Sequence, residues 1–159
     1  MQPQDVYNRQ YEATTAALDR WLTTITDVAA IDKERTADYW RVQIRPFQLN
    51  ACPVELMISR NQTFDIDIGS ESLTRQPVKD LTLLQGLLLA VASGNLILRT
   101  WSAQATGAEL TREIRAHLED GREWSMRRLL HAGSAATELS AVARDRVFVA
   151  YRRAVDQAA

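Results

Sequence analysis

One cysteine, two lysines, four prolines and six glycines in 159 residues are small numbers, and each scarcity removes a class of protein. The single thiol, Cys52, forbids an internal disulfide and any multi-cysteine zinc site, so nothing points to an oxidising compartment. The glycines are scattered singly and neither Lys33 nor Lys79 follows one at phosphate-loop spacing. The two histidines, His117 and His131, lack any metal-binding spacing, and no Gly-x-Ser-x-Gly elbow is present. No catalytic residue and no cofactor are therefore assigned. An excess of one charge is missing too: 19 Lys plus Arg stand against 20 Asp plus Glu, a net charge of -1. Residues 1–60 hold 7 basic and 8 acidic groups, 61–107 hold 3 and 4, and 108–159 hold 9 and 8. Without a basic stripe to neutralise phosphates, nucleic acid is not an expected partner.

Long apolar runs are lacking as well. The longest, Leu81 to Ala92, is interrupted by Thr82, Gln85 and Gly86 and falls short of the roughly 20 residues that span a bilayer. The first residues, Met-Gln-Pro-Gln-Asp, show neither the basic nor the apolar block of a signal peptide. The expectation is a small soluble, cytoplasmic protein of bacterial type with no membrane contact.

What is present is an average globular composition, 46% apolar and 25% charged, in one domain over 1–159. A chain of this size buries roughly 70% of its unfolded surface, enough for a core without a metal or disulfide. The 17 arginines suit planar anion recognition, although an arginine-rich genome gives the same bias more simply.

Tyr7, Tyr11, Thr14, Leu18, Trp21, Ile25 and Val28 recur at spacings of four and three, predicting a helix over about residues 5–31 with one narrow apolar seam. After a charged link, Asp32 to Asp38, the period changes to two. Trp40, Val42 and Ile44 mark one strand, Val54, Leu56 and Ile58 a second, and Phe64, Ile66 and Ile68 a third, with a short extension around Ser72 to Arg75. A three-residue connection, Arg60 to Gln62, pairs Ile58 with Phe64, Leu56 with Ile66 and Val54 with Ile68 on one face. Asp80 caps a helix that is apolar nearly all round and ends near Gly94, which predicts a central buried helix. The stretch that follows reads as a three-stranded meander in which Leu98 faces Ile114, Arg99 faces Glu113, Leu110 faces Leu130, Ile114 faces Met126 and Ala116 faces Trp124. A last helix is expected over Thr137 to Val155, capped by Ser134 or Thr137. The predicted fold is α+β: an antiparallel sheet with the order α-βββ-α-βββ-α and helices packed on it.

Two constellations carry chemistry. The first hairpin places Glu55 opposite Asp67 with Asp65 beside them, carboxylates of the kind that hold a hard cation; the simpler reading is neutralisation by Arg41 and Arg45. The meander sets Arg112 opposite Arg128 on the inward face with Thr100 beside Arg112, and two guanidiniums there require a counter-charge. That charge is either a protein carboxylate, such as Glu109 or Glu138, or a bound anionic ligand. Trp101, outward with Arg99 and Glu113, and Trp21, on the first helix seam, are the expected interface residues of a homodimer.

The element order resembles that of the type III secretion chaperones, small dimers with helices around antiparallel strands that hold extended segments of partner proteins. The likeness covers order over most of the chain and no motif residue, and this chain is nearer neutral than those chaperones. It implies a non-enzymatic, homodimeric binding or accessory protein with a protein partner. The alternative is a small-molecule anion binder or enzyme built on Arg112 and Arg128.

Overall fold

A computed structural model describes residues 1–130 and 141–152. Helix α1 spans Gln4–Thr23, with Asp5 in its first turn and Arg20 in its last, each complementing the helix dipole. Its buried face, Tyr7, Tyr11, Thr14, Thr15, Leu18 and Leu22, follows the expected seam. The helix stops before Thr24, earlier than the periodicity through Val28 implies. The hydroxyls of Thr23 and Thr24 bond back to the carbonyls of Arg20 and Trp21, each at 2.6 Å, and β-branched residues at 23–26 weaken the next turn.

The chain then enters β1, Ala29–Arg35, where a helix end and a charged link were expected. β1 pairs with β2, Tyr39–Pro46, setting Ile31 opposite Ile44 and Arg35 opposite Trp40. Asp32, Lys33, Glu34 and Arg35 charge an edge strand, which discourages pairing with other chains. β3, Val54–Ser59, β4, Thr63–Ile68, and β5, Glu71–Pro77, complete an antiparallel meander in the order β1-β2-β3-β4-β5. The β3–β4 register has Ile58 opposite Phe64, Leu56 opposite Ile66 and Val54 opposite Ile68. All six are buried with Trp40, Val42 and Ile44 on the same face.

Helix α2, Leu81–Ala92, is capped by the Asp80 carboxylate, which accepts from the Thr82 amide at 2.9 Å. It lies between α1 and the second sheet, and buries Leu81, Leu84, Leu87, Leu88, Ala90 and Val91. At its end Gly94 takes φ +76°, and a Cβ there would stand 2.6 Å from the backbone nitrogen of Ala150. Only glycine permits both the left-handed turn and that approach.

The second sheet contains β6, Leu96–Ala103, β7, Glu109–His117, β8, Glu123–Leu129, and β9, Ala141–Val147, antiparallel in the order β8-β7-β6-β9. Leu98 faces Ile114, Arg99 faces Glu113, Ile114 faces Met126 and Ala116 faces Trp124. Buried residues of both sheets and both helices form one hydrophobic cluster.

Two expectations are corrected. The last helix is replaced over 141–147 by β9, which pairs with β6 so that Ile97 meets Val147 and Arg99 meets Asp145. Val142, Ala143 and Val147 fit either period, and a free β6 edge with an ion pair to offer decides for the strand. The expected caps Ser134 and Thr137 lie outside the described residues, as do His131 and Glu138. The order α-βββ-α-βββ-α on one sheet is overturned as well: the described residues form two helices and nine strands in two antiparallel sheets, mostly β. The chaperone resemblance rested on that order and falls with it.

Candidate functional site

Cross-strand pairing places Thr100 opposite Arg112 and Arg112 opposite Arg128. Strand alternation puts these three on the side of the sheet that carries Ile114 and Met126, with Arg112 between the buried Leu110 and Ile114. The counter-charge is Glu71, the first residue of β5 in the other sheet, whose side chain is only 4% exposed. Its carboxylate accepts from Arg128 at 2.8 Å and 3.1 Å and lies 3.5 Å from Arg112. Glu109 takes the far side of Arg112, accepting from its Nε at 2.9 Å, and this bond holds the guanidinium above its ordinary pKa against the opposing effect of burial. A chain of charges, Arg128, Glu71, Arg112 and Glu109, thus joins the two sheets.

β9 lengthens the row. Arg144 stands opposite Thr100 on its free side, so Arg128, Arg112, Thr100 and Arg144 cross all four strands in line. Arg146, one pair along, lies 4.8 Å from the centre of the Phe148 ring.

The first-hairpin carboxylates come together as the register requires, Glu55 opposite Asp67 and Asp65 opposite Met57. Their partners are protein groups: Glu55 accepts from Arg41 Nε at 2.7 Å and Asp65 from the Arg75 amide at 2.7 Å. Among the described residues, no cluster of three His, Cys, Asp or Glu is placed to hold a metal. Cys52 is fully buried, and burial pushes its thiol up to about 12. His117 is exposed, 3.9 Å from Glu123.

The two tryptophans occupy different surfaces. Trp101 is half-buried on the outer face of the second sheet, with the guanidinium of Arg127 4.8 Å and that of Arg99 5.9 Å from its ring. Arg99 is itself fixed by Asp145 through bonds of 2.7 and 2.9 Å. Trp21 lines a cleft of about 440 Å³ with Ile25, Leu89, Ala92 and Tyr151. Sequence reasoning missed Glu71, which no local pattern links to β7 and β8. It also missed Phe47 and Leu49, large apolar side chains 65% and 80% exposed; their signal was an uncharged run, Pro46 to Val54, that is not a buried strand throughout.

Comparison with protein-family models, curated proteins and solved structures finds no match to this chain. Among the described residues, no helix is long and apolar enough to cross a membrane.

Proposed function

We propose that the chain is a non-enzymatic binding protein that works as a homodimer and engages a protein partner through the outer face of the four-stranded sheet. The observation that carries this reading is Trp101, half-buried between two guanidiniums. Tryptophan and arginine are the residues on which interface energy concentrates, and a ring already clamped by its neighbours loses little freedom when it is covered. Arg99 and its partner Asp145 lie one pair along on the same face and put both signs of charge beside it.

The alternative, an anion binder built on Arg112 and Arg128, has Thr100 and Arg144 in its favour and Glu71 against it. The clefts around Trp21, Gln62, Gly86 and Leu83 are lined by neither arginine, and a small-molecule site is ordinarily concave.

The test is a photo-crosslinking residue at Ala143, exposed beside Trp101, compared with one at Thr74, exposed on β5. A discrete adduct from position 143 that disappears in Trp101→Ala supports the reading. Equal labelling from both positions, or an adduct indifferent to Trp101, removes it.

A further inference from the structure

Among the stretches without a charged residue are 21–26, 46–54, 81–98 and 147–151. The fold brings their surface parts to one end. The Phe47 amide donates to Val28 O at 2.9 Å, the Val149 amide to Asn50 O at 3.1 Å, and the Tyr151 amide to Ala92 O at 2.8 Å. Phe47, Leu49 and Val149 project from this end, 65%, 80% and 38% exposed. Beside them lies the recess floored by Trp21, Leu89 and Tyr151, reached from Phe47 through Val28 and Ile25, whose backbones are bonded at 3.1 Å. Among the described residues Glu119 is the one charged side chain that lines the recess, and Asp27 and Arg152 flank these stretches in sequence.

We infer that this uncharged end is the surface on which a second copy of the chain docks, the projecting Phe47 and Leu49 of each copy entering the Trp21 recess of the other. The inference rests on the homodimer reading and names its interface. Three features select a second copy over another occupant. A two-fold contact uses the same patch twice, so the patch must carry projection and recess together, and this one does. The projecting run, 46–54, carries no charge, so it meets Glu119 in the recess of its image with no like-charge repulsion. Glu119 in the recess and the exposed Arg152 next to Tyr151 let opposite signs meet when one copy is turned against the other. Apolar aromatic-rich surface stripped of charge is also what distinguishes the centre of an interface from its surroundings.

Sedimentation equilibrium on the full chain tests this with four proteins: the natural one, Phe47→Glu/Leu49→Glu, Ser93→Trp and Trp101→Glu. Ser93 is exposed in the wall of the recess, so the tryptophan fills it without adding charge. All substituted side chains are exposed or half-exposed, and unchanged circular dichroism and thermal midpoint verify folding. The natural protein is expected to dimerise, with Kd raised at least about a hundredfold in the Phe47/Leu49 variant and in Ser93→Trp, and little changed in Trp101→Glu. Mixing the first two variants should recover part of the affinity, because one intact projection then meets one intact recess. Dissociation by Trp101→Glu alone overturns this interface and leaves the homodimer standing. A dimer indifferent to all three substitutions does the same. A natural protein that stays monomeric at high micromolar concentration removes the homodimer reading itself, and with it this surface.

Discussion

The two sheets divide apolar from polar in different ways. In the first, the division runs through the sheet: Trp40, Val42, Ile44, Val54, Leu56, Ile58, Phe64, Ile66 and Ile68 all face the core, while Arg41, Glu55, Asp65 and Asp67 face out. In the second, it runs along the strands: Leu96, Ile114, Ala116, Trp124 and Met126 join the core, and the same face then continues as Thr100, Arg112, Arg128 and Arg144, with the buried Leu110, outside the core cluster, past Arg112. A sheet segregated by face is spent on stability, because every alternate residue is committed to the interior. A sheet segregated by length keeps half of that face for other work, at the cost of needing a partner for its charges. Glu71 is that partner, and it is supplied by the first sheet.

The largest effect expected is at α2, on which both sheets depend. Leu87 is fully buried, so Leu87→Asp should cost upwards of about 4 kcal/mol and abolish the cooperative thermal transition. A folded Leu87→Asp protein would mean that the sheets stand without the packing of this helix. Next comes Glu71→Gln, which takes from Arg128 its carboxylate and leaves Arg112 opposite it with Glu109 alone. Breaking a fully buried pair costs about 3–5 kcal/mol; with both guanidiniums reaching water the loss should be nearer 2 kcal/mol. Hydrogen exchange should show the second sheet loosened and the β2–β4 strands unchanged. Inorganic phosphate should raise the melting temperature of this variant more than that of the natural protein, since it can take the place of the lost carboxylate.

The smallest effect concerns the first sheet's own latch. Burial alone would raise the Asp19 pKa, but hydrogen bonds from Trp40, Lys33 and Arg35 outweigh it and hold the carboxyl below the ordinary 3.8. A carboxylate depressed by folding stabilises the protein at every pH above its unfolded pKa, and loses that contribution as pH falls through the folded value. Urea unfolding followed from neutral to acid pH should therefore fall less steeply in Asp19→Asn than in the natural chain. Identical slopes would show that α1 is held by its apolar face alone.

What could be read in advance followed from where each residue's partner lay. The β3–β4 and β7–β8 registers were legible because a short loop and an alternating strand constrain each other, so that a slip of one residue would turn Leu56 or Ile114 outward. α2 was legible because Asp80 and Gly94 mark its ends locally. β1 was hidden because Asp32 to Arg35 carry the charges of an edge, which in sequence look like a solvated link. Ile25 and Val28 prolonged the helical rhythm past the end of α1 because the turn after it packs on the same core. β9 was hidden because its pairing is decided by β6, more than forty residues earlier. Of the candidate site, the opposition of Arg112 and Arg128 was legible, and so was the need for a counter-charge. Glu71 was not, because the 57 residues separating it from Arg128 leave no periodicity to follow.

Gly94 bears on how this sequence can vary. Every side chain begins with a Cβ, and at position 94 that atom would fall 2.6 Å from Ala150 N and 3.0 Å from Val149 C, both main-chain atoms that no rotamer change can move aside. The intolerance therefore belongs to the pair of segments rather than to the helix cap. Any residue introduced there must push back the stretch that carries Val149 and Tyr151, so a change at the end of α2 is felt first at the uncharged surface. Alanine, the mildest substitution at most positions, is no milder here than leucine in its first and decisive clash. Drift at 94 is closed to the chain unless 149–151 moves with it, which ties two distant parts of the sequence to a common fate.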